Sequence, residues 1–127
     1  MPIRSDRDIL EARQKGRTLA AELGFTSTGL TMVATAISEL ARNIVLYARR
    51  GEIVLARIDE DGRQGVVVVA RDEGPGIPDI NLAMQSGYST SGSLGLGLPG
   101  VRRIMDEFSI VSEVGKGTSV TAKKWKP

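Results

Sequence analysis

The stretch Val66-Val-Val-Val-Ala70-Arg-Asp72-Glu-Gly-Pro-Gly-Ile77 runs four consecutive valines into a carboxylate, two glycines and a proline. β-Branched side chains are stiff at χ1 and pack well on a pleated surface, so Gln64 to Arg71 is expected to be a buried strand. Asp72 then stands at the strand's end, where the chain must turn. Two readings fit it. In one, Asp, Pro and Gly serve turn geometry alone. In the other, a short carboxylate accepts hydrogen bonds from the amino group of a flat ligand such as adenine. Gly74 and Gly76 would then leave out the Cβ atoms that block a close approach.

Upstream, Glu52 to Ile58 reads as a strand and Asp59-Glu-Asp-Gly62 as a turn, making a hairpin that delivers Asp72. Before the hairpin come two helical patterns. Ile9, Ala12, Gly16, Leu19, Ala20 and Leu23 recur at three- and four-residue spacings, with Ser5 or Asp6 to cap the start and Gly24 the end. Pro2-Ile-Arg4 fits a short edge strand. From Met32 to Ala48 a broader apolar face runs to about Arg49, with N-cap hydroxyls at Thr26 to Thr28 and Gly51 as its stop. On this second helix Glu39 and Asn43 are four residues apart, so both project from one side, beside Leu40 and Ile44. An ordinary surface pair has that spacing too.

Downstream, Pro78 to Met84 fits a short helix, and the Gly/Ser-rich Gln85 to Leu94 fits a lid. Gly95-Leu-Gly97-Leu-Pro-Gly100 follows, then Val101, Ile104, Met105 and Phe108 at helical spacing, with Pro99 suited to a first turn. A glycine loop that opens a helix offers free N–H groups and partial positive charge to a phosphate. Arg102 and Arg103 fall in what this spacing makes the helix's first turn. Ser109 to Val114 and Thr118 to Lys124 alternate as two strands about Gly115-Lys-Gly117, with Val120 and Ala122 facing the core.

The order of these elements predicts an α/β two-layer sandwich, a single domain over 1–127, with helices on one face of a mixed, mostly antiparallel sheet. The chain has no cysteine and no histidine, which excludes disulfides, thiolate and imidazole metal sites, Ser-His catalysis and autophosphorylation on histidine. Net charge is +2, from 17 basic and 15 acidic residues, and makes no case for nucleic acid. The basic cluster Lys123-Lys124-Trp125-Lys126 reads as a solvated terminus. No apolar h-region opens the chain, and no stretch is expected to reach the roughly 20 apolar residues of a membrane span. A cytoplasmic protein with no membrane partner is the expectation.

Gly95-x-Gly97-x-x-Gly100 has the spacing of a dinucleotide fingerprint. It follows a serine-rich loop, however, where that fingerprint needs an apolar strand and a βαβ series. No Walker pattern occurs. What stands in order is Glu39-x-x-x-Asn43, Asp72-x-Gly74-x-Gly76, Gly95-x-Gly97-x-x-Gly100 and Gly117-Thr118. With these four motifs the chain resembles the GHKL superfamily, the Bergerat-fold ATP-binding domains found in gyrase, MutL and histidine kinases. Within it, Ser38-Glu-Leu-Ala-Arg-Asn-Ile-Val-Leu-Tyr47 and Gly95 to Phe108 look like the serine/threonine switch kinases of the bacterial stressosome.

The resemblance implies a protein serine/threonine kinase that uses Mg-ATP on STAS-domain scaffold proteins and, once released, activates a PP2C-type phosphatase. It implies Glu39 as general base, Asn43 as ligand of Mg²⁺, and Asp72 as acceptor for the adenine amino group. Gly74 and Gly76 would let the base lie close, Gly95, Gly97 and Gly100 would wrap the phosphates, and Thr118 would add a hydroxyl near Asp72. Three alternatives stand beside it: an anti-sigma factor of the same fold, an adaptor in which nucleotide only sets shape, and a plain ATP hydrolase.

Overall fold

The computed structural model describes residues 1–77, 84 and 97–127. Its elements are β1 (Pro2–Ile3), α1 (Asp6–Glu22), α2 (Ser27–Asn43), a π-helical turn (Ile44–Ala48), β2 (Gly51–Glu60), β3 (Arg63–Asp72), α3 (Gly97–Ile104), β4 (Glu107–Glu113) and β5 (Gly117–Trp125). The strands form one sheet in the order β1-β2-β3-β5-β4. All four pairings are antiparallel, so the sheet over the described residues is not mixed.

Side chains alternate across a strand, so residues paired in register share a face. Ile53 lies opposite Ala70, Val68 opposite Ala122 and Ala70 opposite Val120. These residues are buried, together with Val33, Ala36, Ile37, Leu40 and Ile44 from the second helix. The layers are therefore three helices over one face of an antiparallel sheet, as expected. Val120 and Ala122 face the core.

Helix α1 begins after Ser5, whose side chain makes no capping hydrogen bond. Asp8 instead accepts the Arg4 N–H at 2.9 Å. Helix α2 is capped by Thr26, whose hydroxyl accepts the Gly29 N–H at 3.2 Å. The two helices pack closely at Gly16, where any Cβ would overlap the buried Ile37 side chain. Counted through its π turn, Ser27–Ala48 is 22 residues long and apolar enough to cross a membrane by length and composition, contrary to the expectation above. Half of the stretch that passes this test is buried inside the protein, where it forms the core.

Several boundaries move. Gly51 opens β2 rather than stopping the helix, because the chain leaves α2 through the π turn and Arg49, at φ 71°. The hairpin is longer than expected: its turn is only Asp61-Gly62, both with positive φ (54° and 78°), the geometry matched to right-handed strand twist. Helix α3 starts at Gly97 and ends at Ile104, so Phe108 belongs to β4 and Pro99 is the third helical residue. Arg102 and Arg103 accordingly lie in the last turn of α3, not the first. Of the expected Pro78–Met84 helix only Met84, a buried residue, is described, and the expected lid lies outside the described residues.

The basic cluster at the end of the sequence is not a solvated tail. Lys123 pairs with Glu60 at 3.1 Å, and Lys124 Nζ donates to the Ile104 carbonyl at 3.0 Å. Trp125 is 8% exposed, donates its ring N–H to Glu107 at 2.7 Å and lies under the Arg63 guanidinium at 4.2 Å. Lys123, Lys124 and Trp125 complete β5, an internal strand between β3 and the edge strand β4.

Gly62 and Gly117 separate backbone strain from close approach. Both have positive φ (78° and 120°), but an added Cβ meets nothing within 4 Å at Gly62, whereas at Gly117 it overlaps the Asp72 carbonyl oxygen. Gly62→Ala should cost about 1 kcal/mol, the ordinary left-handed penalty. Gly117→Ala should cost at least about 2 kcal/mol more, because the backbone there must also move. Urea unfolding measures both, and equal losses would show that contact with Asp72 is not what demands glycine at 117.

Candidate functional site

Asp72 is the last residue of β3, and its neighbours follow from register. It pairs with Gly51 on one side and Thr118 on the other, and Thr118 pairs with Ser112 of β4. Side chains in such a row share a face, here the helix-covered one. Asp72 Oδ1 accepts the Gly74 N–H at 2.9 Å and the Thr118 N–H at 3.3 Å. The bond to Gly74 closes an Asx turn, so the turn-only reading of this aspartate holds for one of its oxygens. Oδ2 accepts no hydrogen bond from the described residues, and the side chain is half-buried. Among the described residues one carboxylate oxygen is tied down and the other has no hydrogen-bond partner.

The two glycines after Asp72 have reasons inside the protein. A Cβ on Gly74 would lie 2.6 Å from Cβ of Ala48, and one on Gly76 would lie 2.5 Å from the Glu113 carbonyl oxygen. They let the turn pack between the π turn and the end of β4. Ser112, which the sequence reading passed over, locks this arrangement. Its hydroxyl accepts the Ile77 N–H at 2.7 Å and is 2.9 Å from the Thr118 hydroxyl, so one side chain holds both the turn and Thr118. Nothing local marks Ser112 in the alternating pattern of β4; only the β4–β5 register singles it out.

Glu39 comes to the same end of the molecule from the helical layer. Among the described residues it is the buried charged residue of the core, 6% exposed. Oε1 accepts from Arg42 Nη1 at 2.9 Å, and Oε2 accepts the Gly97 N–H at 3.1 Å. Gly97 is the first residue of α3, so this contact places the helix N-terminus, with its free N–H groups, against α2. Gly100 is buried within α3, and Gly95 lies outside the described residues. The spacing of Arg42, three residues beyond Glu39 on a helix, was a legible signal that the sequence reading did not use.

Asn43 closes α2 one turn after Glu39. Its half-buried carboxamide makes no side-chain hydrogen bond with the described residues. Directly after it the helix widens into the π turn, a local feature frequent at functional sites. Ile44 touches the position a Cβ would take on Gly51, at 3.0 Å, as Ala48 does for Gly74. The end of α2 is thus wedged against the end of β3.

The described residues contain no group of three or more carboxylates that could hold a metal by itself. Magnesium is commonly bound through one or two protein oxygens together with substrate phosphates, and a carboxamide with no partner among the described residues, one helical turn from Glu39, is chemically suited to that mode. Asp72 Oδ2, the α3 N-terminus and Asn43 carry the chemistry of a carboxylate acceptor, of backbone N–H donors and of a carboxamide oxygen.

Residues 4–124 match the model of the histidine kinase-like ATPase domain family. The serine/threonine-protein kinase RsbT of Bacillus subtilis (strain 168) is 53% identical over 123 residues, 97% of this chain and 92% of that protein. The anti-sigma F factor of Geobacillus stearothermophilus is 37% identical over 120 residues, 89% of this chain and 81% of that protein. Among solved structures, the RsbU and RsbW domains of a Mycobacterium tuberculosis protein superpose with a TM-score of 0.62 at 22% identity. The match covers all of this chain and 33% of that longer one. The mycobacterial sensor histidine kinase MprB superposes with a TM-score of 0.60 at 13% identity, covering 99% of this chain and 97% of that one. By a family match over nearly its whole length, and by its identity to a serine/threonine-protein kinase, this chain belongs to the histidine kinase-like ATPase domain family.

Proposed function

We propose that this protein is a serine/threonine kinase that transfers the γ-phosphoryl group of Mg-ATP to a STAS-domain partner. The observation that carries the reading is the buried Glu39 carboxylate set against the first amide of α3, in a chain 53% identical to a kinase of that class. Binding of a nucleotide alone needs no carboxylate beside the phosphate donors. Transfer to a hydroxyl does, because the attacking oxygen must lose its proton.

Asp72 Oδ2 would accept the adenine N6 amino group, with Thr118, held by Ser112, supplying a hydroxyl beside it. The N–H groups of the α3 N-terminus, from Gly97 on and joined by the Gly95 segment, would donate to the phosphates, where fixed backbone dipoles stabilise developing charge. Asn43 Oδ1 would hold Mg²⁺, which neutralises phosphate charge when bound. Glu39 would orient the partner's Ser or Thr hydroxyl and take its proton as the new O–P bond forms. The bond from the γ-phosphorus to the β,γ-bridging oxygen breaks, and ADP leaves.

The resemblance further implies a switch role: once free of its STAS scaffold, the protein would activate a PP2C-type phosphatase, all in the cytoplasm. Relatives named anti-sigma F factor, at 37% identity, favour a second reading in which a sigma subunit is the partner and a STAS protein its antagonist.

Incubation with γ-labelled ATP, Mg²⁺ and a STAS-domain protein from the same genome should label serine or threonine on that protein. Absence of transfer, with a sigma subunit retained instead, would favour the second reading. Asp72→Asn replaces an acceptor with a donor at Oδ2 and should weaken ATP binding about tenfold or more by calorimetry, the worth of a hydrogen bond to a charged group. Unchanged affinity would refute the adenine assignment. Glu39→Gln should keep ATP binding but slow transfer roughly 10²- to 10⁴-fold, and full transfer would remove Glu39 from the chemistry.

A further inference from the structure

Arg42 sits between Glu39 and Asn43 and has so far been given no role. Its guanidinium reaches from a position 39% exposed to a Glu39 side chain that is 9% exposed, at 2.9 Å. Exposed pairs three residues apart on a helix are common and worth little. This one differs because its carboxylate is buried and its other oxygen is occupied by the Gly97 N–H, 58 residues away in the chain. That amide is the one at which a phosphate would bind. A phosphate oxygen arriving there displaces Glu39 from the amide and sets two anions side by side. Of the two partners Glu39 has among the described residues, Arg42 alone then remains. Its planar fork fixes a carboxylate's direction in a way that a flexible ammonium does not.

We infer that Arg42 is a positioning residue for phosphoryl transfer, holding the Glu39 carboxylate toward the acceptor hydroxyl after phosphate has taken the Gly97 amide. The inference rests on the reading of Glu39 as the base.

The test compares the unmodified protein with R42Q, R42K, E39Q and the R42Q/E39Q double variant. Steady-state transfer from labelled ATP to a STAS-domain protein gives kcat and the KM for ATP, and thermal unfolding checks each fold. R42Q should lower kcat about tenfold to a hundredfold, since a displaced reacting group costs that much, with the KM for ATP within about twofold. R42K should recover part of the loss. In the double variant the losses should not multiply, and its rate should match that of E39Q alone. An unchanged kcat in folded R42Q, or losses that multiply in the double variant, overturns the positioning role. If R42Q does not fold, R42K carries the comparison, with a reduced kcat at unchanged KM expected and an unaltered kcat overturning the inference. If E39Q itself transfers at the full rate, it is the assignment of the base that falls, which separates the two failures.

Discussion

A carboxylate buried in an apolar helix must find partners, and in this protein that requirement joins two helices of one layer, α2 and α3. Glu39 lies on α2 among Ile37, Leu40 and Ala41, all withdrawn from solvent. Burying an ionised group without compensation costs several kcal/mol, so both oxygens have to be hydrogen bonded. One turns to Arg42 on the same helix and the other to Gly97 at the start of α3. The second bond crosses a long stretch of chain and sets the N-terminus of α3 against the Glu39-x-x-x-Asn43 motif. The core helix and the chemistry are one element.

The sheet contributes its own fixed point at the same end. Asp72, Thr118 and Ser112 fall in one cross-strand row, and the Gly117 backbone passes so close to the Asp72 carbonyl that no side chain fits. Half of the Asp72 carboxylate is used to close its own turn, which stiffens the other half. A ligand that meets Oδ2 meets an acceptor already oriented, so little side-chain entropy is lost on binding.

The same frame is shared by MprB at 13% identity, which shows how little of the sequence the layers need. A buried strand, a broad apolar helix and glycines at the crossings suffice for the sandwich. A shared frame leaves function to the side chains placed on it.

Periodicity alone determined the helices of the first half, the hairpin around Asp61-Gly62 and the inward faces of β3 and β5, because 3.6- and 2-residue repeats record which side is buried. The motif residues Glu39, Asn43, Asp72, Gly97 and Thr118 were legible through their fixed order. The end of α3 was not, since Met105 and Phe108 continue a helical spacing that the chain abandons for β4. The fate of the basic residues at 123–126 and the part played by Ser112 were also hidden. Their partners, Glu60, Asp106, Ile77 and Thr118, are set by strand register and docking. Local sequence carries local periodicity, but a hydrogen bond between distant residues exists only after the sheet has chosen its register, and that choice belongs to the tertiary structure.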